Sequence, residues 1–146
     1  MYYIEKYISQ PIHWYRWEER EEIPGNQLTG VYLLAFLTNQ NKKVVTFEEL
    51  LCKEVIYIGE THRNGRSLSS RWDEFERAAR TGNSGHAGGK TFHELALSLK
   101  GLFLAALSLP ESVNELELKL SIMLIERELL WEFGQRFYCR PKCNKA

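Results

Sequence analysis

The chain lacks several features that would assign it to a specialised class of protein. Neither sign of charge is in excess, because 19 lysine and arginine residues balance 19 aspartate and glutamate residues. This balance is a mild argument against strong nucleic-acid binding, although a local basic patch can coexist with acidic helices elsewhere. No apolar run is long enough for a membrane span, and the first ten residues lack the pattern of a signal peptide. We therefore expect a cytoplasmic protein that does not contact a membrane.

Cysteine is scarce, and its placement excludes two further classes of structure. The three cysteines, Cys52, Cys139 and Cys143, are an odd number, which favours reduced thiols over a disulfide framework. Cys139 and Cys143 have no matching second pair of ligands, so a structural zinc site is not expected.

The length of 146 residues is sufficient for one hydrophobic core. We predict a single domain over residues 1–146, in which an N-terminal arm, residues 1–24, precedes a core at residues 25–144. The arm is rich in aromatic and charged side chains. We favour the interpretation that its rings pack onto the domain, and the alternative is a surface that stacks on bases or contacts a partner.

Two apolar stretches, Thr29–Leu34 and Glu54–Thr61, each place one tyrosine in a run of aliphatic and β-branched residues, which predicts a buried strand. Leu102–Leu109 is predicted to be a third strand. The segment between the first two strands is too long for a tight hairpin, and it carries Lys42 and Lys43 at its tip. If the two tyrosine-bearing strands pair, their phenol rings lie close together on one face of the sheet.

Helical periodicity follows the second strand. Ser67 is a plausible N-cap and Gly82 a plausible end for a helix with apolar residues on one face, namely Leu68, Trp72, Phe75 and Ala79. Residues 83–91 are dense in glycine and are predicted to form a loop, and residues 92–101 a short helix.

A longer helix is predicted to begin at Glu111 or Ser112 and to end at about Phe133 or Phe137. We expect its inner face to be traced by Leu116, Leu120, Met123, Leu124, Arg127 and Trp131.

The residues of the two tyrosine-bearing strands resemble a known motif. "GVY" at Gly30–Tyr32 and "YIG" at Tyr57–Gly59 are similar to the two halves of the motif that names the GIY-YIG nucleases. One half alone has little value, but further polar residues follow in the order of that family. They are Arg71 in the helix after the second half, His86 in the glycine-dense loop, Glu126 in the long helix and Asn144 in the terminal "RPKCN".

The resemblance spans residues 24–144 and implies an α/β (α+β) fold, in which helices flank a small, mainly antiparallel three-stranded sheet. It implies a metal-dependent endonuclease that hydrolyses DNA phosphodiester bonds with Mg²⁺, or Mn²⁺, bound by Glu126. Glu128 is a rival for the metal position, but we prefer Glu126 because the residues after it match the apolar positions of the family.

The resemblance also suggests a role for each of the other site residues. Tyr32 or Tyr57 accepts the proton of the attacking water, alone or through a relay with His86, and the choice between the tyrosines stays open. Arg71 holds a non-bridging phosphate oxygen, for which its planar guanidinium is suited. Asn144 orients Glu126 or the substrate backbone.

The expected partner is DNA, contacted by five basic side chains: Lys42, Lys43, Arg63, Arg66 and Lys90. We favour a restriction-type enzyme that acts as a homodimer, because such members of the family carry additions in similar places. The alternatives are a structure-selective, repair-type nuclease and a non-catalytic module that binds nucleic acid or a protein partner.

The stretch "SGHAGGKT" at Ser84–Thr91 partly resembles a nucleotide-binding P-loop. That motif requires glycine at its first position and follows a strand, whereas this stretch begins with Ser84 and follows a predicted helix. We reject a nucleotide-hydrolysis site here, but the amides of the loop and Lys90 remain candidates for gripping a DNA phosphate.

Overall fold

The computed structural model describes residues 3–7, 12–38, 47–62, 66–111 and 114–145. This part of the chain has a mixed α+β fold, in which a four-stranded antiparallel sheet is combined with helices. The strands in chain order are β1 (Tyr15–Arg16), β2 (Thr29–Ala35), β3 (Val55–Thr61) and β4 (Phe103–Leu109). Their order across the sheet is β1-β4-β2-β3.

The helices in chain order are α1 (Phe47–Leu50), α2 (Leu68–Thr81), α3 (Ala87–Glu94) and α4 (Glu115–Phe137), and two 3-10 helices lie in the arm at Tyr3–Lys6 and Trp17–Glu22. The predicted cap of α2 is confirmed, because the side chain of Ser67 accepts a hydrogen bond from the backbone amide of Ser70. The predicted end of α2 is also confirmed, because Gly82 has a φ of 77°, a conformation that glycine adopts without strain.

The positions of the three predicted strands are confirmed, but the prediction of a three-stranded sheet is wrong. A fourth strand, β1, comes from the arm and pairs with β4 through Tyr15 opposite Leu104 and Arg16 opposite Phe103. A strand of two residues is too short to show an alternating pattern in the sequence. It forms on the edge of β4 that faces away from β2.

Strand β2 lies between β3 and β4, and its alternating side chains contribute to two hydrophobic clusters. Val31 and Leu33 belong to the cluster that also contains Ile122, Ile125, Leu129 and Phe133 of α4. Tyr32 and Leu34 belong to the cluster that also contains Leu68, Trp72 and Phe75 of α2 and Phe92 of α3. The sheet is therefore covered on both faces, and the face of Tyr32 is the one that receives α2 and α3.

The arm packs its rings against the domain where the structure describes it. Trp14 and Trp17 are each only 3% exposed. The Trp17 indole nitrogen donates a hydrogen bond of 3.0 Å to Glu76 of α2, and the guanidinium of Arg20 lies 4.7 Å from the centre of the Trp17 ring. Packing is therefore confirmed for these rings of the arm.

The predicted loop over residues 83–91 holds for residues 83–86, but residues 87–91 are helical, and the helix predicted over residues 92–101 ends at Glu94. Helix α3 begins at Ala87, and its glycines allow α3 to approach α2 closely. A Cβ atom on Gly89 would lie 2.7 Å from the carbonyl oxygen of Phe75 and 2.8 Å from the Cβ of Ala78. Glycine lowers helix propensity, and here the close packing of two helices outweighs that cost.

Substitution of Gly89 by alanine is expected to destabilise the fold by about 1–3 kcal/mol, because the added methyl group meets the backbone of α2, which cannot move aside. Substitution of Gly134 in α4 by alanine is the matched control. A Cβ on Gly134 meets no atom within 4 Å, so the gain in helix propensity is expected to stabilise by up to about 1 kcal/mol. Urea unfolding of both variants measures the two free energies, and a destabilisation of equal size in both would contradict the packing argument.

The predicted inner face of α4 is wrong. Its buried apolar residues are Ile122, Ile125, Leu129 and Phe133, whereas Leu116, Leu120, Leu124 and Trp131 are between 48% and 63% exposed. Because the helix is apolar on two sides, hydrophobic spacing alone could not identify the side that faces the sheet. None of the helices in the described ranges is both long and apolar enough to cross a membrane.

Candidate active site

Tyr32 of β2 and Tyr57 of β3 lie side by side, with ring centroids 6.0 Å apart. Gly59 lies in close contact with both rings. A Cβ at this position would lie 2.5 Å from the ring of Tyr57 and 2.8 Å from the ring of Tyr32. Gly88 of α3 covers the other edge of Tyr57, where a Cβ would come within 2.4 Å of the ring. Two glycines therefore hold the ring of Tyr57 between them, and the expected proximity of the two tyrosines is confirmed.

His86 is the N-cap of α3 and links that helix to the tyrosine pair. Its Nδ1 accepts a hydrogen bond of 3.1 Å from the backbone amide of Gly89, so Nδ1 carries a lone pair and no proton. Burial, together with the charges of Arg71 and Arg66, lowers the pKa of His86 to about 3, so the ring is neutral. The proton of the neutral ring is therefore on Nε2, which donates a hydrogen bond of 2.7 Å to the Tyr32 hydroxyl oxygen.

This tautomer argues against the relay expected from the sequence, in which His86 takes up a proton from a tyrosine. One ring nitrogen already carries a proton, and the other is held by a backbone amide. The same hydrogen bond uses the amide of Gly89, so that amide is not free to grip a DNA phosphate. His86 instead positions Tyr32.

Both phenols resist ionisation in the folded protein. Burial, with a contribution from the neighbouring Tyr57, raises the pKa of Tyr32 well above its usual value, and Tyr32 is fully buried. Burial also raises the pKa of Tyr57 to about 12, and the charge of Arg71 opposes the rise in both residues. Tyr57 is only partly buried, so it is the member of the pair that solvent or a ligand can touch.

Arg71 of α2 reaches toward the start of α3. Its guanidinium donates a hydrogen bond of 2.7 Å to Glu74 and one of 3.4 Å to the carbonyl oxygen of Gly85. The other carboxylate oxygen of Glu74 lies 3.1 Å from the guanidinium of Arg66. Glu74 therefore holds two guanidinium groups beside His86. In the sequence, this pairing is indicated by the spacing of three residues between Arg71 and Glu74, which places them on one side of a helix.

Glu126 of α4 lies within electrostatic reach of the tyrosine pair, because its charge contributes to the pKa of both phenols. Burial and the charge of Glu60 raise the pKa of Glu126 to about 7. Glu60 follows Gly59 in β3, and sequence reasoning missed it because no spacing rule links it to α4.

The rival carboxylate, Glu128, has a different task. It accepts hydrogen bonds from the backbone amides of Tyr3, at 2.8 Å, and Ile4, at 3.4 Å, and so anchors the first 3-10 helix of the arm. The preference for Glu126 over Glu128 as the site carboxylate agrees with this geometry.

Asn144 does not contact Glu126 through its amide hydrogen bonds. Its side chain donates to the carbonyl oxygen of Ile58 and accepts from the amide of the same residue, both at 2.9 Å. The amide of Cys143 also donates to the carbonyl oxygen of Ile56. The C-terminal tail thus pairs with the free edge of β3, and Asn144 acts on the site by holding the strand that carries Tyr57, rather than by orienting Glu126.

The predicted DNA-contacting residues are only partly accounted for. Lys42, Lys43 and Arg63 lie outside the described residues. Arg66 is paired with Glu74 near His86, and Lys90 is an exposed residue of α3. The structure therefore brings Arg66 to the tyrosine site.

No family model, no curated protein and no solved structure matches this chain. The resemblance to the GIY-YIG nucleases therefore depends on the ordered residues of the sequence.

Proposed function

We propose that the protein is a metal-dependent DNA endonuclease that hydrolyses phosphodiester bonds, similar to the GIY-YIG nucleases. One observation carries the proposal: two adjacent tyrosines, a neutral histidine and an arginine meet at one face of the sheet, within electrostatic reach of the Glu126 carboxylate. These groups come from five separate elements of the fold, namely β2, β3, α2, the N-cap of α3 and α4.

Phosphate binding is assigned to Arg71, with Arg66 beside it. Hydrolysis of a phosphodiester requires stabilisation of the negative charge that develops on the phosphate oxygens, and a guanidinium fork provides two parallel donors. Glu74 restricts the orientation of both arginines, so their donors are preorganised before a phosphate arrives. Arg71 also favours the phenolate form of Tyr57, because its charge lowers the pKa of that residue.

Tyr57 is proposed to orient the attacking water and, as the phenolate, to accept its proton and become the neutral phenol. It is the partly exposed tyrosine, whereas Tyr32 is fully buried and engaged by His86. The pKa of Tyr57 is about 12 even with the favourable charge of Arg71, so only a small fraction of the residue is phenolate at neutral pH, and a further cation beside it would increase that fraction. Tyr32 and His86 support the ring of Tyr57 from behind.

The residues present fit a hard divalent cation that keeps most of its own water. Within the described residues, no three His, Cys, Asp or Glu side chains are grouped to hold a metal. The negative charges of Glu126 and Glu60 nevertheless repel one another, and a bound cation would relieve this repulsion. Mg²⁺ commonly binds through one or two carboxylates plus water and phosphate oxygens. When bound at Glu126, Mg²⁺ or Mn²⁺ would neutralise phosphate charge and stabilise the departing 3′ oxygen.

The substitution Arg71→Ala tests the proposal directly. We expect cleavage of supercoiled plasmid in the presence of Mg²⁺ to fall by about 10²–10³-fold, because a charge-stabilising donor is lost. Arg80→Ala is the matched control, since Arg80 is an exposed arginine of the same helix. The wild-type protein and Arg80→Ala should nick plasmid equally, and neither should do so with EDTA. Absence of cleavage by the wild-type protein with Mg²⁺ or Mn²⁺, or equal cleavage by both variants, would contradict the proposal.

A restriction-type activity in the cytoplasm is the more specific form of this proposal. The protein would then cut both strands at a defined sequence, and sequencing of the cleaved ends would show a single motif. Random ends would instead support a nonspecific or structure-selective, repair-type nuclease.

A non-catalytic binding module is the second candidate, and the raised pKa of both tyrosines favours it, because neither phenol is a ready base. DNA binding without cleavage, by the wild-type protein and by Arg71→Ala alike, would support the module.

A further inference from the structure

The outer face of α4 carries an exposed apolar stripe that the candidate active site does not use. We define the outer stripe as Leu116, Leu120, Leu124 and Trp131, which are 63%, 48%, 51% and 61% exposed. These residues recur at helical spacing on the side opposite the buried face of the helix. An apolar ridge of this length on a helix that does not cross a membrane indicates a surface that another molecule covers.

A groove lies beside the N-terminal half of the outer stripe. Its volume is about 300 Å³, and its walls include Leu116, Leu120 and Leu124 of α4 and Tyr3 of the arm. Glu117 contributes an acidic side chain to the same wall. The groove is therefore an apolar recess with one negative edge, and its size is suitable for one large aromatic side chain.

The two ends of the outer stripe are complementary to each other. The groove lies at the Leu116 end, and the exposed indole of Trp131 stands at the other end, 15 residues or about 22 Å further along the helix (131 − 116). A two-fold axis midway between these residues places Trp131 of one copy opposite Leu116 of the other. A surface on which each copy supplies both the inserted side chain and its recess is the signature of an isologous dimer.

We propose that a second copy of this chain covers the outer stripe, with the two α4 helices antiparallel and each Trp131 inserted into the groove of its partner. Tryptophan and arginine are the side chains that most often dominate binding energy at interfaces. The axis that pairs Trp131 with Leu116 also places Arg127 opposite Leu120 of the partner. Arg127 is then one helical turn from the partner's Glu117, so the charges are complementary as well.

The charges next to the outer stripe disfavour a lipid surface as the occupant. Helices that lie on anionic membranes place lysine and arginine beside their apolar face. Here an acidic residue, Glu117, lines the groove, and Arg127 is the basic residue that helical spacing places within the outer stripe. A second copy satisfies the observed charges, because it brings Arg127 to the acidic edge.

Sedimentation equilibrium of the full chain over about 1–100 µM tests the proposal, because this range brackets the affinity of a typical reversible dimer. We expect the wild-type protein to sediment with twice the monomer mass. The substitution Trp131→Ala should raise the dimer dissociation constant by at least about 30-fold, and Leu120→Glu should give a monomer. Leu95→Glu is the control, since Leu95 is 47% exposed but lies outside the outer stripe, next to α3. A wild-type monomer at all concentrations, or equal dissociation caused by Leu95→Glu, would overturn the proposal.

A charge exchange distinguishes this arrangement from other dimers. Arg127→Glu and Glu117→Arg should each weaken the dimer, and the double variant should restore most of the lost affinity. Within one chain the two residues are ten positions or about 15 Å apart along the helix (127 − 117), so they can only compensate one another across the interface. Failure of the double variant to restore the dimer would exclude the antiparallel register. Circular dichroism of each variant verifies that α4 still folds, and the result is independent of whether the protein cleaves DNA.

Discussion

The substitution Glu126→Gln is expected to reduce Mg²⁺-dependent cleavage of plasmid DNA by on the order of 10³-fold or more. Glutamine keeps the size and most of the packing of the side chain but removes the charge that would hold the cation. DNA affinity, measured by fluorescence anisotropy without metal, should be unchanged or higher, because a negative charge near the phosphate is removed. A loss of cleavage with retained binding is the signature of a metal-ligand defect.

Glu128→Gln is the control for this prediction. The two residues lie on the same helix, two positions apart, but Glu128 anchors the backbone of Tyr3 and Ile4 instead of approaching the tyrosines. We expect Glu128→Gln to retain cleavage and to lose some stability, because the hydrogen bonds from the Tyr3 and Ile4 amides to this side chain become weaker. If Glu128→Gln abolishes cleavage and Glu126→Gln does not, the assignment of the site carboxylate is wrong.

The contribution of His86 to the stability of the fold is expected to fall steeply at acidic pH. The side chain is 1% exposed, and burial with nearby arginine charge lowers its pKa from the usual 6.5 to about 3. The unfolded chain therefore takes up a proton near pH 6.5, whereas the folded protein does not do so until about pH 3. The contribution of this group to stability is complete above pH 6.5 and is lost progressively as the pH falls toward 3. Between pH 6.5 and 4.5 the loss amounts to about 2–3 kcal/mol.

Urea unfolding of the wild-type protein and of His86→Asn, at a series of pH values from about 7.5 to 4.5, measures this contribution. Asparagine can still cap α3, so the helix is expected to persist while the titrating group is removed. The wild-type protein should lose about 2–3 kcal/mol more than His86→Asn over the interval from pH 6.5 to 4.5. His13→Asn, at an exposed position, should follow the wild-type curve. Parallel curves for the wild-type protein and His86→Asn would show that His86 is not buried as a neutral ring.

Local signals in the sequence were sufficient for much of the scaffold. Three runs of apolar and β-branched residues predict buried strands whatever surrounds them in the fold. They are Thr29–Ala35, Val55–Thr61 and Phe103–Leu109. Helix α2 follows in the same way from its cap, its period and its terminal glycine. Such elements are specified by residues that lie within one or two turns of each other.

Where those local signals failed, packing between elements distant in the chain determined the structure. Glycine predicts a loop at residues 83–91, but Gly88 and Gly89 are needed in a helix because Tyr57 and α2 leave no space for a Cβ. Either apolar side of α4 satisfied the helical period, and the contact with the sheet selected the side of Ile125 and Leu129.

For the candidate site, the sequence alone determined which side chains to consider, because the order of Tyr32, Tyr57, Arg71, His86, Glu126 and Asn144 can be compared with a known motif. The tertiary structure decided what each of them is able to do. The neutral tautomer of His86 depends on a backbone amide of α3. The choice between Glu126 and Glu128 depends on which side of α4 meets the arm. The role of Asn144 depends on the free edge of β3. Each of these is a contact between elements distant in the chain, and the local pattern of residues carries no information on such contacts.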